Sequence, residues 1–471
     1  MMEMASTSAK RPICLYWSEV KKWAPTSSHL RFGKLPNEWQ LLPVSSFAIK
    51  IENKEKVVPD REYSMAGVRG NGGGVFHRET VLGKAQSSNY LYPVKPGAII
   101  YNRLFAWKAS FAVVGEDSFG FYVSNEFPQF EINQRIALPE YVYLLFTTNK
   151  IIGAVKTASI GSAAVSRNRF IESELLSFKV PIPPLPVQKK IVAYWEDTKL
   201  KAHTSFEQAK NITNKISGFL MKSIGLKELK RTHNLRAFIS TWQEIDRWGV
   251  GIAREMSRRP KLSVSPYPVI SLSDVINDLQ NGWSPKCLTR PAEKDEWGVL
   301  KVGAVSFGWF DESQNKALPK SLTPRKQYEV RKGDLIISRA NITQYVGACA
   351  LVGNVRPKLM LCDKLFRVGW KRNSSILPKF LDEILKIPHL RWQIENNLTG
   401  ASPTMKNISK PAIMSLKFPL PPLDKQNEIV DEIGLMRQEA ILLQNKARTN
   451  LSNAASEVEK MILGVKSVED I

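Results

Sequence analysis

The sequence contains few of the residues that usually bind metals or form disulfides. Among 471 residues there are four cysteines and five histidines. The cysteines, Cys14, Cys287, Cys349 and Cys362, form no C-x-x-C pair, and the histidines are scattered along the chain. This spacing predicts neither a zinc site nor a disulfide framework, so we expect no metal in this chain.

Long apolar runs are also absent. No stretch approaches the roughly 18 consecutive apolar residues of a membrane-spanning helix. The first residues, Met-Met-Glu-Met-Ala-Ser-Thr, lack the basic and then apolar order of a signal peptide. The sequence therefore predicts a cytoplasmic protein that has no membrane partner.

Signatures of common enzymes are missing as well. There is no Asn/Asp-Pro-Pro-Tyr motif of amino-methyltransferases, no Walker A loop, no H-E-x-x-H zinc motif and no G-x-S-x-G nucleophile elbow. Acidic clusters near Asp60 and Glu293 can be aligned with loose nuclease patterns, but charged loops of this kind are usually solvated faces. We expect no catalytic residue in this chain.

Acidic residues are outnumbered by basic ones. The chain has 67 Lys and Arg against 44 Asp and Glu, which leaves a formal net charge of +23. Such an excess favours a nucleic acid as partner, because Lys and Arg side chains that meet phosphates release counterions. A basic solubility face or an anionic membrane surface is the alternative.

The most informative feature of the sequence is an internal repeat. Residues 178–192 read FKVPIPPLPVQKKIV, and residues 416–430 read LKFPLPPLDKQNEIV. Each segment predicts a strand, a proline stop and the start of a helix, in the same order. The repeat therefore indicates two similar units laid end to end.

The similarity extends upstream of this phrase. Residues 94–103 align with 330–339, and both predict a turn at Gly, a short buried strand and then an Arg. Residues 138–145 align with 377–385, and both predict a helix that begins at a proline. The segments that open each copy differ more, as expected of two modules that read different targets.

After each proline phrase the apolar pattern takes a helical period. Residues of the first seam are spaced alternately by four and three, and so are most of the second. The first seam is Ile191, Trp195, Thr198, Ala202, Ser205, Ala209, Ile212, Ile216 and Phe219; the second is Ile429, Ile433, Met436, Ala440, Leu443 and Ala447, then Leu451, Ala454, Val458 and Met461. Seams this rich in small and polar residues predict that the two helices pair as a coiled coil. The alternative is an amphipathic helix lying on its own domain.

Together these motifs resemble a known family. Two variable basic modules, each closed by an apolar-Pro-x-Pro-Pro-Leu-x-x-Gln-x-x-Ile-Val phrase and a long helix, resemble the DNA-specificity subunit of type I restriction-modification enzymes. The resemblance runs from about Gly74 to Met461. The first copy departs from the family pattern by carrying Ala98 where Asp is frequent, a position to which we assign a structural role.

The resemblance implies a non-catalytic subunit that binds double-stranded DNA with a bipartite site. It implies two modification (methyltransferase) subunits as partners, and it allows for restriction and translocase subunits. S-adenosylmethionine and ATP are then expected only on those partner subunits, and no cofactor is expected in this chain.

We expect a mixed α/β (α+β) fold with two tandem target-recognition domains separated by two long helices that pair as an antiparallel coiled coil. The expected divisions are recognition domain 1 at residues 1–182, spacer helix 1 at 183–226, recognition domain 2 at 227–420 and spacer helix 2 at 421–471. Two alternative functions stay open at this stage. One is a self-contained nuclease or nucleic-acid-modifying enzyme with a diverged motif, and the other is a basic RNA-binding adaptor.

Reading of bases in the major groove requires Arg or Lys for guanine and Asn or Gln for adenine. Local mixtures of such residues with Gly, Ser and aromatics predict the contacts, with Arg103 and Arg339 ranked first because they end the repeated strand. The predicted DNA contacts of the first copy are Arg69, Asn71, Arg78, Asn102, Arg103, Lys108, Ser162, Arg167 and Asn168. Those of the second copy are Lys286, Lys301, Arg339, Asn341, Gln344, Tyr345, Ser402, Thr404, Lys406 and Asn407.

Three tryptophans, Trp107, Trp283 and Trp309, are candidates for stacking on a base. Large aromatic side chains are more often buried in a core, and we expect burial for these three.

Overall fold

The computed structural model describes residues 30–159, 169–227, 262–400, 402 and 405–470. The chain divides into two compact units. Unit 1 consists of Met1–Ser205 together with Asn445–Ile471, and unit 2 consists of Phe206–Gln444. The division passes through both long helices, so each unit includes part of each helix.

The described part of unit 1 is a mixed α/β structure. Its strands β1 to β11 are Gln40–Pro43, Ala48–Lys50, Glu55–Lys56, Glu62–Val68, Val75–Leu82, Tyr90–Pro93, Ile99–Tyr101, Phe111–Val113, Phe121–Val123, Gln129–Ile132 and Lys179–Ile182. Helices α1 to α3 are Pro139–Phe146, Asn149–Ala158 and Glu172–Ser177, and the long helix α4 spans Leu185–Ser223.

The described part of unit 2 follows the same plan. Its strands β12 to β24 are Val269–Ser271, Ile276–Asn281, Gly298–Leu300, Val305–Ser306, Trp309–Phe310, Asn315–Ala317, Leu335–Ser338, Ala340–Asn341, Cys349–Leu351, Leu359–Met360, Leu365–Trp370, Lys406–Asn407 and Lys417–Pro419. Helices α5 to α8 are Leu272–Val275, Pro378–Ile384, Pro388–Asn396 and Lys410–Met414, and the long helix α9 spans Leu423–Ile462.

The four-stranded sheets of the two units have the same topology, whereas the second sheet has five strands in unit 1 and three in unit 2. An antiparallel four-stranded sheet has the order β2-β10-β7-β8 in unit 1 and β13-β22-β18-β20 in unit 2. A second sheet contains one parallel pair in each unit, β4 with β9 and β14 with β21. The pairs β1-β11 and β12-β24 complete the correspondence. The shared topology confirms the predicted duplication.

The repeated strand lies at the centre of the four-stranded sheet in both units. Gly97 and Gly333 precede it with φ of +77° and +93°, a conformation that favours glycine. Strands β7 and β18 are fully buried, and they pack into the main hydrophobic core of their unit. Arg103 and Arg339 then follow at the end of each strand, as the sequence predicts.

Ala98 lacks the side-chain carboxylate that an Asp would offer to the turn before strand β7. In unit 1 the side chain of Gln129 makes the polar contacts of this turn instead. The Gln129 side chain is buried, and its Oε1 accepts a hydrogen bond from the Lys95 amide at 2.9 Å. Its Nε2 donates to the Pro93 carbonyl at 3.0 Å. One glutamine therefore satisfies two backbone groups of this turn.

In unit 2 two charged residues perform the same task. Asp334 stands at the position of Ala98, and its Oδ2 accepts from the Arg331 amide at 2.9 Å. Arg367 stands at the position of Gln129 and donates to the Glu329 carbonyl at 2.8 Å, and it pairs with Asp334 at 3.2 Å. Gln129 thus compensates for the absence of an Asp at position 98, which agrees with a structural role for this position.

Helices α1 and α6 begin at Pro139 and Pro378, as predicted. A proline suits this first position because its missing amide hydrogen would have no helical partner there. Each helix packs into the core of its unit, α1 through Tyr141 and Leu145 and α6 through Phe380.

The proline phrase ends one strand and begins a long helix in both units, and its glutamine is fully buried. In unit 1 the Gln188 Oε1 accepts from the Leu138 amide at 2.8 Å. The Gln188 Nε2 donates to the carbonyls of Ile136 at 2.9 Å and Pro183 at 2.8 Å. This side chain fastens the first turn of α4 to the start of α1.

The glutamine of the second phrase makes the same three bonds. The Gln426 Oε1 accepts from the Leu377 amide at 2.8 Å. Its Nε2 donates to the carbonyls of Ser375 at 2.8 Å and Pro421 at 2.9 Å. The repeated Gln is therefore a buried connection between the proline-initiated helix and the long helix.

The long helices α4 and α9 run antiparallel. In unit 1, Ile191 near the start of α4 shares a buried cluster with Met461 at the end of α9. In unit 2, Ile216 near the end of α4 shares a buried cluster with Ile429 near the start of α9. The predicted pairing is therefore confirmed, while the four-part division of the chain stays a prediction.

Buried residues on the two helices recur at heptad spacing. They include Ala202 and Ala209 on α4, and Ala440, Ala447 and Ala454 on α9, each at most 4% exposed. Alanine has a small side chain, so alanines at successive seam positions allow the two helix backbones to approach closely. The predicted seam is thus buried.

We expect Gln426→Ala to destabilise the protein by about 1–3 kcal/mol, because it leaves the Leu377 amide and two carbonyls without this partner. Urea unfolding of the full chain measures this effect. The matched control is Gln438→Ala, which removes an exposed glutamine from the same helix. Equal stability of the two variants would contradict the assigned role.

The repeated turn carries Ala98 with Gln129 in unit 1 and Asp334 with Arg367 in unit 2. We therefore expect the effects of substitutions at Asp334 and Arg367 on stability to be coupled. Asp334→Ala alone should cost roughly 1–3 kcal/mol, because the Arg331 amide loses its acceptor and Arg367 loses its carboxylate. Adding Arg367→Gln should recover part of this loss by reproducing the arrangement of Gln129 and Ala98. A double-mutant cycle in urea measures the coupling, and strictly additive losses would contradict it.

Candidate nucleic-acid interface

The backbone holds Arg103 and Arg339 in equivalent positions. In unit 1 the Arg103 carbonyl accepts from the Phe170 amide at 3.0 Å. In unit 2 the Arg339 carbonyl accepts from the Ile408 amide, also at 3.0 Å. The two arginines therefore leave the repeated strand at the same point of the frame.

Their side chains have different surroundings. The Arg103 guanidinium forms an ion pair with Glu172, and Lys50 Nζ lies 3.3 Å from the same carboxylate. Burial alone disfavours the charged carboxylate, but the hydrogen bond and the two cations hold the pKa of Glu172 below its ordinary value. The positive charge of Arg103 is thus neutralised within unit 1.

Arg339 has no such partner among the described residues. Its Nη1 donates to the Asp363 carbonyl at 3.4 Å, and its guanidinium lies 5.8 Å from the centre of the Phe366 ring. Lys410 stands at the position of Glu172 and pairs with Asp278 at 3.4 Å. The guanidinium of Arg339 is therefore better placed to bind a phosphate or a base than that of Arg103.

In unit 1 a glycine-rich loop, residues 69–74, lies against the turn of residues 105–109. The Asn71 amide donates to the Lys108 carbonyl at 2.9 Å, and Tyr143 Oη donates to the Gly72 carbonyl at 3.3 Å. Asn71 itself has φ of +51°, a left-handed conformation that asparagine tolerates better than most residues. We call these two segments together the loop–turn surface of unit 1.

Three of the predicted contacts meet on this surface. Arg69, Asn71 and Lys108 are all exposed. The Arg69 guanidinium lies 4.6 Å from the centre of the Phe76 ring, and Lys108 Nζ lies 4.8 Å from that of Trp107. The contacts with aromatic rings orient two cations without neutralising them.

Unit 2 has a corresponding loop–turn surface, made of the hairpin β15–β16 and residues 341–345. The Gly308 amide at the hairpin tip donates to the Cys349 carbonyl at 2.8 Å. The rings of Phe307 and Tyr345 stack with their centres 6.2 Å apart. On the loop–turn surface of unit 2, Phe307 and Tyr345 are exposed, whereas the loop–turn surface of unit 1 carries the cations Arg69 and Lys108.

Three more predicted contacts lie on or beside this surface. Strands β19 and β23 pair Asn341 with Lys406 and Ala340 with Asn407. The Lys406 Nζ donates to the Gly400 carbonyl at 2.6 Å, and the Asn341 Oδ1 accepts from the Ile342 amide at 2.9 Å. Asn341, Lys406 and Asn407 therefore stand together next to Arg339.

Comparisons with known proteins agree with this geometry. Residues 47–216 match the family model described as the type I restriction modification DNA specificity domain. These residues, which make up about a third of the chain, are therefore similar to a type I DNA specificity domain.

Two curated specificity subunits and one solved structure illustrate the relationship. The EcoEI subunit of Escherichia coli is 34% identical over 163 residues, which span 34% of this chain and 27% of that protein. The MjaVIII subunit of Methanocaldococcus jannaschii is 20% identical over 439 residues, or 91% of this chain and 93% of that protein. A chain from a structural study of type I system assembly and conformational transition has a TM-score of 0.55 at 17% identity, covering 92% of this chain and 98% of that one. That last likeness concerns the fold.

The remaining predicted DNA contacts are dispersed over the two units. Asn102 is only 8% exposed, and its Oδ1 accepts from the Leu104 amide at 2.9 Å, so we remove it from the candidate interface. Arg78 is exposed but forms an ion pair with Glu79. Lys301 is half-buried, and Lys286 is exposed.

Gln344 and Ser402 are exposed. Ser162, Arg167, Asn168 and Thr404 lie outside the described residues.

The β15–β16 hairpin of unit 2 carries an exposed tryptophan that was not expected from the sequence. Trp309 is 68% exposed, contrary to the expected burial, whereas Trp107 and Trp283 are half-buried. The signal in the sequence was the pair Phe307-Gly308 between two short strands, since glycine is frequent in two-residue hairpin loops.

The acidic clusters at Asp60 and Glu293 are exposed loops. Within the described ranges, no three His, Cys, Asp or Glu side chains come together in an arrangement that could hold a metal ion. None of the helices in the described part of the chain is long and apolar enough to cross a membrane.

If Lys108 meets a phosphate, Lys108→Ala should reduce the slope of log K against log salt concentration by about 1. Fluorescence anisotropy with a 40-base-pair duplex over a NaCl series measures this slope. The control is Lys199→Ala, which removes an exposed lysine from α4 that already pairs with Glu196. Slopes that are equal for Lys108→Ala and the wild type would exclude the phosphate contact.

Proposed function

We propose that this chain is a type I specificity subunit that recognises a bipartite sequence in double-stranded DNA. It directs adenine-methylating modification subunits, and restriction subunits where they are present, to that site. Each unit reads one half of the site. The observation that carries this proposal is the pair of loop–turn surfaces, which share one frame and present different side chains.

The difference between the two surfaces supports separate half-sites. The surface of unit 1 offers Arg69, Asn71 and Lys108 beside the exposed ring of Phe105. The surface of unit 2 offers Phe307 and Tyr345. Side chains of different chemistry recognise different base edges or different base steps. If both half-sites had the same base sequence, we would expect the two loop–turn surfaces to carry the same side chains.

The net charge of +23 supports a polyanionic ligand for the whole chain. In this proposal two modification subunits are the direct partners, and S-adenosylmethionine and ATP bind to the partner subunits. The chain itself then contributes recognition and positioning. Neither a self-contained enzyme nor an RNA-binding adaptor is favoured by a specific feature of the described residues.

Replacement of residues 1–182 by the corresponding module of a related specificity subunit should change only one half of the methylated sequence. Mapping of methylated adenines in cells that express the chimaera with its modification subunit measures the outcome. The wild-type chain under the same conditions is the control. A simultaneous change of both halves would contradict the modular proposal.

The two equivalent arginines should contribute unequally to DNA binding. Arg339→Ala should weaken binding by about 1–3 kcal/mol if it makes a bidentate base contact. Arg103→Ala should affect stability more than affinity, because its ion pair with Glu172 lies within unit 1. Anisotropy titrations and urea unfolding of both variants separate the two effects, and unchanged affinity of Arg339→Ala would remove Arg339 from the interface.

A further inference from the structure

The exposure of Trp309 has no explanation in the packing of unit 2. Strand β16 consists of Trp309 and Phe310 only, and Phe310 packs against a buried cluster. Trp309 points the other way along the pleat and is 68% exposed. A large aromatic side chain that stabilises no core is a common feature of binding surfaces.

The ring of Phe307, two residues before Trp309 in the sequence, is held in a defined arrangement. Phe307 at the hairpin tip stacks on Tyr345, and the Arg391 guanidinium lies 5.1 Å from the centre of the Phe307 ring. Arg391 in turn donates to the carbonyls of Val346 at 2.6 Å and Gln344 at 3.4 Å. The hairpin tip is thus fixed to the turn that carries the predicted base contacts, although Phe307 and Tyr345 remain 40% and 37% exposed.

The charges around the tip are consistent with DNA as the ligand. Arg391 pairs with Glu395 at 3.3 Å. Lys386 lies beside Gly308 and pairs with Asp382 at 2.7 Å. The carboxylates of Glu395 and Asp382 therefore each have a cation beside them.

We propose that Trp309 and Phe307 form an aromatic wedge that inserts at a base step of the half-site read by unit 2. The inference rests on the proposed function, because it requires duplex DNA along the loop–turn surface of unit 2. Apolar side chains that enter a base step unstack it and bend the duplex. The cost of this deformation depends on the sequence, so the wedge adds specificity at a step without hydrogen bonds to base edges.

The continuity of the wedge with the candidate interface favours DNA over a protein partner. Tyr345, which stacks on Phe307, belongs to the same turn as Gln344, and the strand of Asn341 precedes that turn. In unit 1 the corresponding loop offers Arg69 and Asn71 instead. The two halves of the site are then read by different physical means, through polar groups in one and through base-step deformability in the other.

The test uses Trp309→Ala, Trp309→Phe and the control Trp283→Phe, each as the full chain in complex with its modification subunit. The probe is a duplex that contains the site identified by methylation mapping. Trp309→Ala should bind this duplex roughly 5- to 100-fold more weakly, the loss expected for one base–aromatic contact, with an unchanged salt slope. Trp309→Phe should retain most of the affinity.

Intrinsic fluorescence gives a second readout. If Trp309 stacks on a base, the duplex should quench the emission of the wild type and of Trp283→Phe more than that of Trp309→Phe. In the same complexes, 2-aminopurine placed at the adenines of the half-site read by unit 2 should brighten with the wild type and not with Trp309→Ala.

Different failures have different meanings. Unchanged affinity of Trp309→Ala beside tight binding of the wild type would overturn the wedge alone. Loss of assembly with the modification subunit, with DNA binding retained, would assign the rings to a protein contact and would also overturn the wedge. A wild-type complex that binds no duplex would overturn the proposed function itself.

Discussion

The buried glutamine of the repeated phrase is the interaction on which each unit depends. An amide side chain offers one acceptor group and two donor hydrogens, and Gln188 uses them on the Leu138 amide and the carbonyls of Ile136 and Pro183. Gln426 does the same in unit 2. Because both glutamine side chains are fully buried, any other direction of the long helix would leave their polar atoms unpaired. The glutamine therefore fixes the direction in which the helix leaves its unit.

Because buried groups determine the backbone structure of each unit, exposed side chains can differ between the two units without a change of fold. The backbone bonds of Arg103 and Arg339 are equivalent, yet one guanidinium is neutralised by Glu172 and the other lies over the Phe366 ring. At the equivalent position of unit 2, Lys410 replaces the carboxylate of Glu172. A change of this kind alters the local charge without loss of any backbone hydrogen bond of the sheet.

Much of the frame could be predicted from the sequence because its signals are local. A glycine turn, a proline at a helix start and a heptad seam each specify an element within a few residues. The surface depends on pairs that are distant in sequence, such as Arg103 with Glu172, and no local pattern reports them. The exposure of Trp309 is of the same kind, since a short strand shows which side chains alternate but not which face the core covers.

In the proposed function, the presence of two DNA-reading units in one chain changes what each must achieve. Once one unit is bound, the other acts at a high effective concentration, so the two affinities combine. Each surface can then use a weak or costly mode of recognition, including one that unstacks a base step. A wedge such as Phe307 with Trp309 would be a poor reader in isolation, because the deformation cost offsets its contacts. Joined in one chain to unit 1, whose loop–turn surface carries polar side chains, the proposed wedge can turn this deformation cost into discrimination between sequences.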